Sequence, residues 1–135
     1  MKRIRMFTLL SVLAVVLSVG LLPGVAQAAS GPQVIIQQDA SYILASSVIN
    51  VGLDVKCQGG SGDVNVHVTQ SPPASLPGGA SGYATSPVAC DGQMHPVAVT
   101  VFAPGIGAGQ AWATADLTTP TGAAHAQRWI TIVVE

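Results

Sequence analysis

Charged residues are scarce in this chain of 135 residues, which has five Lys and Arg and six Asp and Glu. Three of the basic residues lie within the first five positions: Lys2, Arg3 and Arg5. Beyond them only Lys56 and Arg128 remain, against all six acidic residues. A chain with so few cations lacks the basic surface that attracts nucleic acid phosphates or anionic lipid headgroups. We therefore expect neither nucleic acid nor a membrane surface as a partner.

Long apolar runs are confined to the N-terminus, where a mainly apolar stretch spans residues 6–22. Pro23-Gly24 and the small-residue pattern Ala26-Gln27-Ala28 follow it, which is typical of a cleaved secretory signal peptide. A retained anchor is the alternative, although about 17 apolar residues barely cross a bilayer. We predict a signal peptide at residues 1–28 and a single secreted domain at residues 29–135, with no membrane association after cleavage.

Cysteine is rare as well, since Cys57 and Cys90 are the only two in the chain. An exported chain meets oxidising conditions, so we predict that these two residues form a disulfide. On the chain-entropy model, closing a loop of this length stabilises the fold by roughly 3 to 4 kcal/mol.

The helical period of 3.6 residues is missing beyond the leader, and apolar residues alternate with polar ones instead. The clearest alternation is ASSVINVGLDVKC, which places every second residue on one core face: Ala45, Ser47, Ile49, Val51, Leu53, Val55 and Cys57. Cys57 therefore has the parity of a buried sulfur.

Gly, Pro, Ser and Asp clusters divide the domain into about seven strands. We predict them in QVIIQQ, ASSVINVGLDVKC, DVNVHVTQ, residues 83–90, HPVAVTVF, GQAWATADL and about residues 126–134. Seven short antiparallel strands in one domain of this size are typical of an immunoglobulin-like β-sandwich. A small barrel is the alternative.

Several segments of strand and turn residues together cover most of the domain. They are Val55-Lys56-Cys57, Val64-x-Val66-x-Val68-Thr69-Gln70, Cys90-Asp91-Gly92-x-x-His95-x-Val97, Gly109-x-Ala111-x-Ala113-x-Ala115 and Arg128-x-Ile130-x-Ile132. In these segments the chain resembles a group of small exported bacterial proteins with an immunoglobulin-like sandwich and no assigned activity. The resemblance implies export and a fold, and it implies no reaction.

A second similarity is to the exported bacterial apoproteins that carry enediyne chromophores, which are also seven-stranded sandwiches rich in Ala, Gly and Thr. Those proteins typically have two disulfides, whereas this chain has cysteines for one. We therefore expect no cofactor.

Motifs for catalysis, metal binding and nucleotide binding are missing from the sequence. His67, His95 and His125 lack the close spacing of a zinc site. GIGAGQ lacks the preceding strand, the following helix and the third glycine of a dinucleotide loop. No Gly-x-Ser-x-Gly motif occurs, and the aspartates mostly flank turns. We expect no catalytic residue, no metal ligand and no enzymatic activity.

Aromatic residues make up 4% of the chain, and two of them are tryptophans with the parity of an outer face. GQAWATADL alternates inward alanines with Trp112, and Trp129 precedes the inward Ile130. A two-residue turn at Pro120-Thr121 would pair Trp112 with Trp129 and set the two indoles side by side. A three-residue loop with a bulge at Gly122 would instead send one indole inward.

The same register places Arg128 on the core parity. An isolated charge resists burial there unless it lies at the rim or a bulge turns it outward.

Paired exposed indoles offer a flat apolar platform with two N–H donors, which sugars, proteins and apolar ligands all use. The sequence thus predicts a non-catalytic secreted module that binds, or is a structural part, in the extracellular space or cell envelope. Its binding residues would be Trp112 and Trp129, and its partner an envelope protein or polysaccharide. Alternatives are a carrier of a small apolar ligand, an enzyme of unrecognised type, and tryptophans that only cover a sheet edge or a loop.

Overall fold

A computed structural model describes residues 31–135 of the chain. The predicted signal peptide and its cleavage site lie outside these residues. The described part contains seven strands and no helix, and so no helix there is long and apolar enough to cross a membrane. The strands are β1 (Gln33–Ile43), β2 (Val48–Lys56), β3 (Gly60–Gln70), β4 (Ala80–Cys90), β5 (Met94–Phe102), β6 (Gly109–Thr119) and β7 (Gly122–Val134). The prediction of an all-β fold with seven strands is confirmed.

The strands form one sheet in the order β4-β3-β6-β7-β1-β2-β5. All neighbours are antiparallel except β1 and β7, which run parallel where residues 39–42 pair with residues 131–134. The two edge strands, β4 and β5, come close together at Gly82 and Phe102. The backbones are so near each other there that a Cβ atom at Gly82 would collide with the carbonyl oxygen of Phe102. The sheet therefore curls into a nearly closed barrel.

The core lies inside this curled sheet and follows the alternation of the sequence. Every second residue of β2, and of the middle of β3, is fully buried: Ile49, Val51, Leu53, Val55, Val64, Val66 and Val68. Successive side chains of a strand point to opposite faces, so the polar residues between them face outward. Period-two alternation therefore identified the buried residues of these strands.

The first hairpin differs from its prediction. β1 extends to Ile43, and residues 44–47 form a turn, so that β2 begins at Val48 and pairs with Ile43. Ser47 has a φ of 56°, a left-handed conformation that an extended strand does not adopt. The prediction that Ala45 and Ser47 share the core face of β2 is wrong, because both residues belong to this turn.

The predicted disulfide is confirmed. Cys57 directly follows β2 and Cys90 ends β4, and a bond joins their buried sulfur atoms. The amide of Gly92 also donates a hydrogen bond to the carbonyl of Cys57 at 2.7 Å. The disulfide thus ties together the chain segments at one end of the barrel.

Hydrogen bonds of a buried glutamine hold the opposite end. The side-chain amide of Gln70 donates to the carbonyls of Gly107 and Gln110, and its oxygen accepts from the amide of Gly107. In addition, the amide of Leu76 donates to the carbonyl of Gly105 at 2.9 Å. These bonds fasten the loop after β3 to the loop before β6, which positions the start of β6.

Candidate functional site

The hairpin of β6 and β7 is regular along its whole length. Its pairs run from Gly109 with Ile132 to Thr119 with Gly122, so that only Pro120 and Thr121 lie in the turn. The hydroxyl of Thr119 donates to the carbonyl of Gly122 at 2.8 Å. Gly122 has a φ of 147°, which favours glycine at this position. The predicted two-residue turn is confirmed.

Because the register is set by this turn, Trp112 and Trp129 lie directly opposite each other. Their ring centroids are 5.1 Å apart and the ring planes meet at 65°, an edge-to-face contact. Trp112 is half-buried, whereas Trp129 is 58% exposed. The predicted pairing is therefore confirmed, and Trp129 exposes much of its indole to solvent. The prediction of a flat platform is wrong, because the two rings meet edge to face.

Alanines occupy most of the inner side of β6, the strand that carries Trp112. The inward residues of β6 are all fully buried: Ala111, Ala113, Ala115 and Leu117. They join a core that is already filled by the valines and isoleucines of neighbouring strands. The tryptophans lie on the outer side, where no such limit on size applies.

The indole pair belongs to a wider surface on the outer side of β4, β3, β6 and β7. Strand pairing arranges twelve outward residues in three rows: Ser81, Thr69, Trp112 and Trp129; Tyr83, His67, Thr114 and Gln127; Thr85, Asn65, Asp116 and His125. We call these residues the aromatic-polar face. Three large rings lie on it beside hydroxyl, amide, carboxylate and imidazole groups.

An ion pair lies in the third row of this face. Nδ1 of His125 is 2.6 Å from a carboxylate oxygen of Asp116 on the neighbouring strand. This hydrogen bond, with a smaller contribution from Gln127, raises the pKa of His125 above its ordinary value. The imidazole therefore stays protonated over a wider pH range than a free histidine does.

A second pair of a histidine and an aspartate lies at the end of the barrel that holds the disulfide, away from the aromatic-polar face. The carboxylate of Asp91 accepts from the amide of Gln93 at 2.9 Å and contacts Nε2 of His95 at 2.8 Å. These bonds, that of Gln93 first, lower the pKa of Asp91. An aspartate that caps a turn amide in this way has a local structural role.

The histidines do not gather into a metal site. His67 and His125 lie on the aromatic-polar face but on β3 and β7, which β6 separates, and His95 lies on β5. Within residues 31–135, no group of three or more His, Cys, Asp and Glu side chains is placed to hold a metal ion.

Arg128 keeps its inward parity, and its position explains how. It lies on β7 opposite the buried Ala113, near the place where β1 and β7 are not yet paired. There Nη1 of Arg128 donates to the carbonyl of Ile36 at 2.9 Å. A surface groove of about 400 Å³ lies beside it, between residues 34–36 and 126–128. The guanidinium thus bridges a gap at the rim of the core, where it stays partly solvated.

Sequence reasoning missed Tyr83, which is 75% exposed in the second row of the face. Its parity is readable, because Tyr83 is odd-numbered and the buried Val88 and Cys90 of the same strand are even-numbered. The sequence did not reveal which strand pairs with β4. Only the pairing of β4 with β3 places Tyr83 on the same surface as the indoles.

The chain was compared with protein-family models and with curated proteins. No protein-family model matches the chain, and no curated protein matches it. What the chain binds has to be inferred from its own residues.

Proposed function

We propose that this protein is a non-catalytic, secreted binding module with an immunoglobulin-like sandwich, and that the aromatic-polar face is its contact surface. The partner is a component of the cell envelope or the extracellular space. The disulfide between Cys57 and Cys90 is consistent with an oxidising compartment.

Strand order supports the sandwich. β1 pairs with β2 and β2 with β5, while β4, β3, β6 and β7 follow one another on the other side of β1. In constant-type immunoglobulin sandwiches the first, second and fifth strands likewise share one sheet, and the third, sixth and seventh share the other. The fourth strand differs, because it joins the first sheet there and pairs with β3 here. The irregular register of β1 between Ile36 and Ala40 is where the chain would pass from one layer to the other.

The observation that carries the binding proposal is the exposed indole pair. A chain that has two tryptophans places both on the outer face of one hairpin, in mutual contact. Large rings exposed to water gain little from folding, whereas they contribute strongly to binding when a partner covers them. Trp129, 58% exposed, is therefore the residue whose loss should reduce binding most.

The test is retention of the disulfide-bonded protein on immobilised cell-wall polysaccharide and secreted-protein fractions of the cells that produce it. Wild type is compared with Trp129→Ala and with a control, Met94→Ala. Met94 is also an exposed apolar residue, at 43%, and it lies on β5, which three strands separate from β6 in the sheet order. Circular dichroism and thermal unfolding establish that all three proteins are folded.

We expect at least one fraction to retain both wild type and Met94→Ala. The affinity of Trp129→Ala for that fraction should be at least about tenfold lower than that of wild type. If the Trp129→Ala protein is retained as well as wild type, or if no fraction retains the wild type, the proposed function is wrong.

A further inference from the structure

We propose that the ligand of the aromatic-polar face is a neutral glycan chain that lies across β7, β6, β3 and β4. This inference rests on the proposed function and names the ligand class of the same surface. The juxtaposition that carries it is an indole pair on one side of the face, an exposed tyrosine on the other, and polar groups around them that include neither Lys nor Arg.

The rings supply the apolar part of such a site. A sugar ring has faces made of C–H bonds and a perimeter of hydroxyl groups, so it packs on an aromatic ring while its hydroxyls stay available for hydrogen bonds. Trp129 and Tyr83 are exposed by 58% and 75%, and each carries an N–H or O–H group at its edge. Each ring thus suits one sugar unit.

Their separation requires a chain of sugars. Trp112 pairs with Thr69, which pairs with Ser81, and Tyr83 is two residues further along β4. With strands about 4.8 Å apart and a rise of about 3.4 Å per residue, the Cα atoms of Trp112 and Tyr83 are about 12 Å apart. One sugar ring does not span this distance, so a ligand that contacts both ends is an oligosaccharide.

The groups between the rings are suited to hydroxyls. Next to the indoles lie Thr114 and Gln127, and next to Tyr83 lies His67. The third row adds Asn65 and the carboxylate of Asp116. Together these side chains both donate and accept hydrogen bonds, as sugar hydroxyls require.

The charge of the face favours a neutral chain. Neither basic residue of the described part belongs to it, because Lys56 lies on β2 and Arg128 points inward from β7. Sulfate, phosphate and uronate groups bind best to Arg and Lys, and the His125 imidazole is already paired with the carboxylate of Asp116. Only a protonated histidine offers a cation, so a polyanionic glycan is a poor match.

A protein partner fits less well. Of the residue types enriched at the centre of protein interfaces, the face has Trp and Tyr but neither Met nor Arg. Its apolar area is divided between two separate aromatic positions with polar groups in between. This arrangement resembles the alternation of apolar faces and hydroxyls along a sugar chain.

The test is affinity electrophoresis in gels that contain one of four neutral polymers: hydroxyethylcellulose, galactomannan, soluble starch or glycol chitin. Polygalacturonate is the polyanionic control. Wild type is run beside Trp129→Ala, Tyr83→Ala and the control Met94→Ala, each checked for folding.

We expect at least one neutral polymer to retard wild type and Met94→Ala, whereas polygalacturonate does not. Trp129→Ala should abolish the retardation, and Tyr83→Ala should weaken binding about tenfold. With the monosaccharide unit of the same polymer, wild type and Tyr83→Ala should bind equally, because one sugar ring does not reach both aromatic positions.

The glycan proposal is overturned if none of the four polymers retards the protein, or if polygalacturonate retards it as strongly as they do. Suppose that no polymer retards the protein, but a secreted-protein fraction retains wild type and does not retain Trp129→Ala. The partner is then a protein, and the aromatic-polar face is still the contact surface. If Trp129→Ala behaves as wild type on every polymer and fraction, both proposals fail.

Discussion

The inner and outer sides of the β6–β7 hairpin differ most in the size of their side chains. On the inner side of β6, Ala111, Ala113 and Ala115 are fully buried, while Trp112 and Trp129 lie on the outer side. Burial stabilises a large apolar side chain far more than exposure does, so the reverse arrangement is usual. The hairpin therefore places its largest rings where folding benefits least from them.

The difference teaches which constraint acts on each side. Inside, a dense core limits the size of every residue, because protein interiors are close-packed and tolerate little added volume. Outside, no packing requirement selects a tryptophan. Contact with a ligand is a reason for the outer rings that does not apply to the inner alanines.

The largest expected effect is on the inner side. Ala113→Leu forces three extra carbon atoms into a fully packed position and should lower the free energy of unfolding by about 1 to 3 kcal/mol. Thr114→Leu, one residue along on the outer side, should change it by less than about 0.5 kcal/mol. Urea unfolding of both variants measures the difference. Equal effects would mean that the inner side is not packed as described.

Arg128 is the charged residue on the inner side of this hairpin. Arg128→Met keeps most of the side-chain length but removes the hydrogen bond to the carbonyl of Ile36. Hydrogen bonds to charged groups contribute about 1.5 to 3 kcal/mol, and since this one is partly solvated we expect a loss of about 1 kcal/mol. Hydrogen exchange around β1 should also increase. A variant more stable than wild type would contradict the bridging role.

The outer rings should matter less for stability. Trp129→Ala removes an edge-to-face contact, and such contacts contribute about 0.5 to 1.5 kcal/mol. Trp112→Ala should cost more, because Trp112 is half-buried. Thermal unfolding gives the order. If Trp129→Ala is as damaging as Ala113→Leu, the exposed ring serves packing.

The smallest effect concerns the ion pair of the outer side. A group whose pKa is higher in the folded than in the unfolded chain stabilises the fold below its unfolded pKa and loses this contribution as pH rises through its folded pKa. His125 is such a group. His125→Gln should therefore lower stability more at acidic than at alkaline pH.

The pair itself is tested by substituting its other member. In Asp116→Asn, the pKa of His125 should fall, as followed by NMR titration of the imidazole, and His125→Gln in this background should lose its pH dependence. An unchanged titration would show that Asp116 does not hold the proton on His125.

Alternation predicted the indole pair once a two-residue turn was assumed. Counting outward from Pro120 and Thr121 pairs Trp112 with Trp129, whereas the alternative three-residue loop would have separated them. The same parity placed Cys57 in the core, and the presence of two cysteines in a chain expected to be exported predicted its bond to Cys90. These features depend on residues near each other in sequence or on a single choice of partner.

Features that depend on strand order were not readable. Alternation gives the face of Tyr83 but does not reveal that β4 pairs with β3 at the edge of the same sheet. It places Arg128 inward but does not show the gap between β1 and β7 that accommodates the guanidinium. It also misassigned Ala45 and Ser47, since the residues of a turn can continue the parity of a strand by chance.

The most direct test of the central claim, that the outer side of the hairpin is the contact surface, uses the unmodified protein. Hydroxyl-radical footprinting read by mass spectrometry compares the free protein with the protein bound to the fraction or polymer that retains it. The account predicts strong protection of Trp112 and Trp129, weaker protection of Tyr83, and an unchanged oxidation rate at Met94. Protection of Met94 with full oxidation of both tryptophans would place the contact elsewhere and contradict the account.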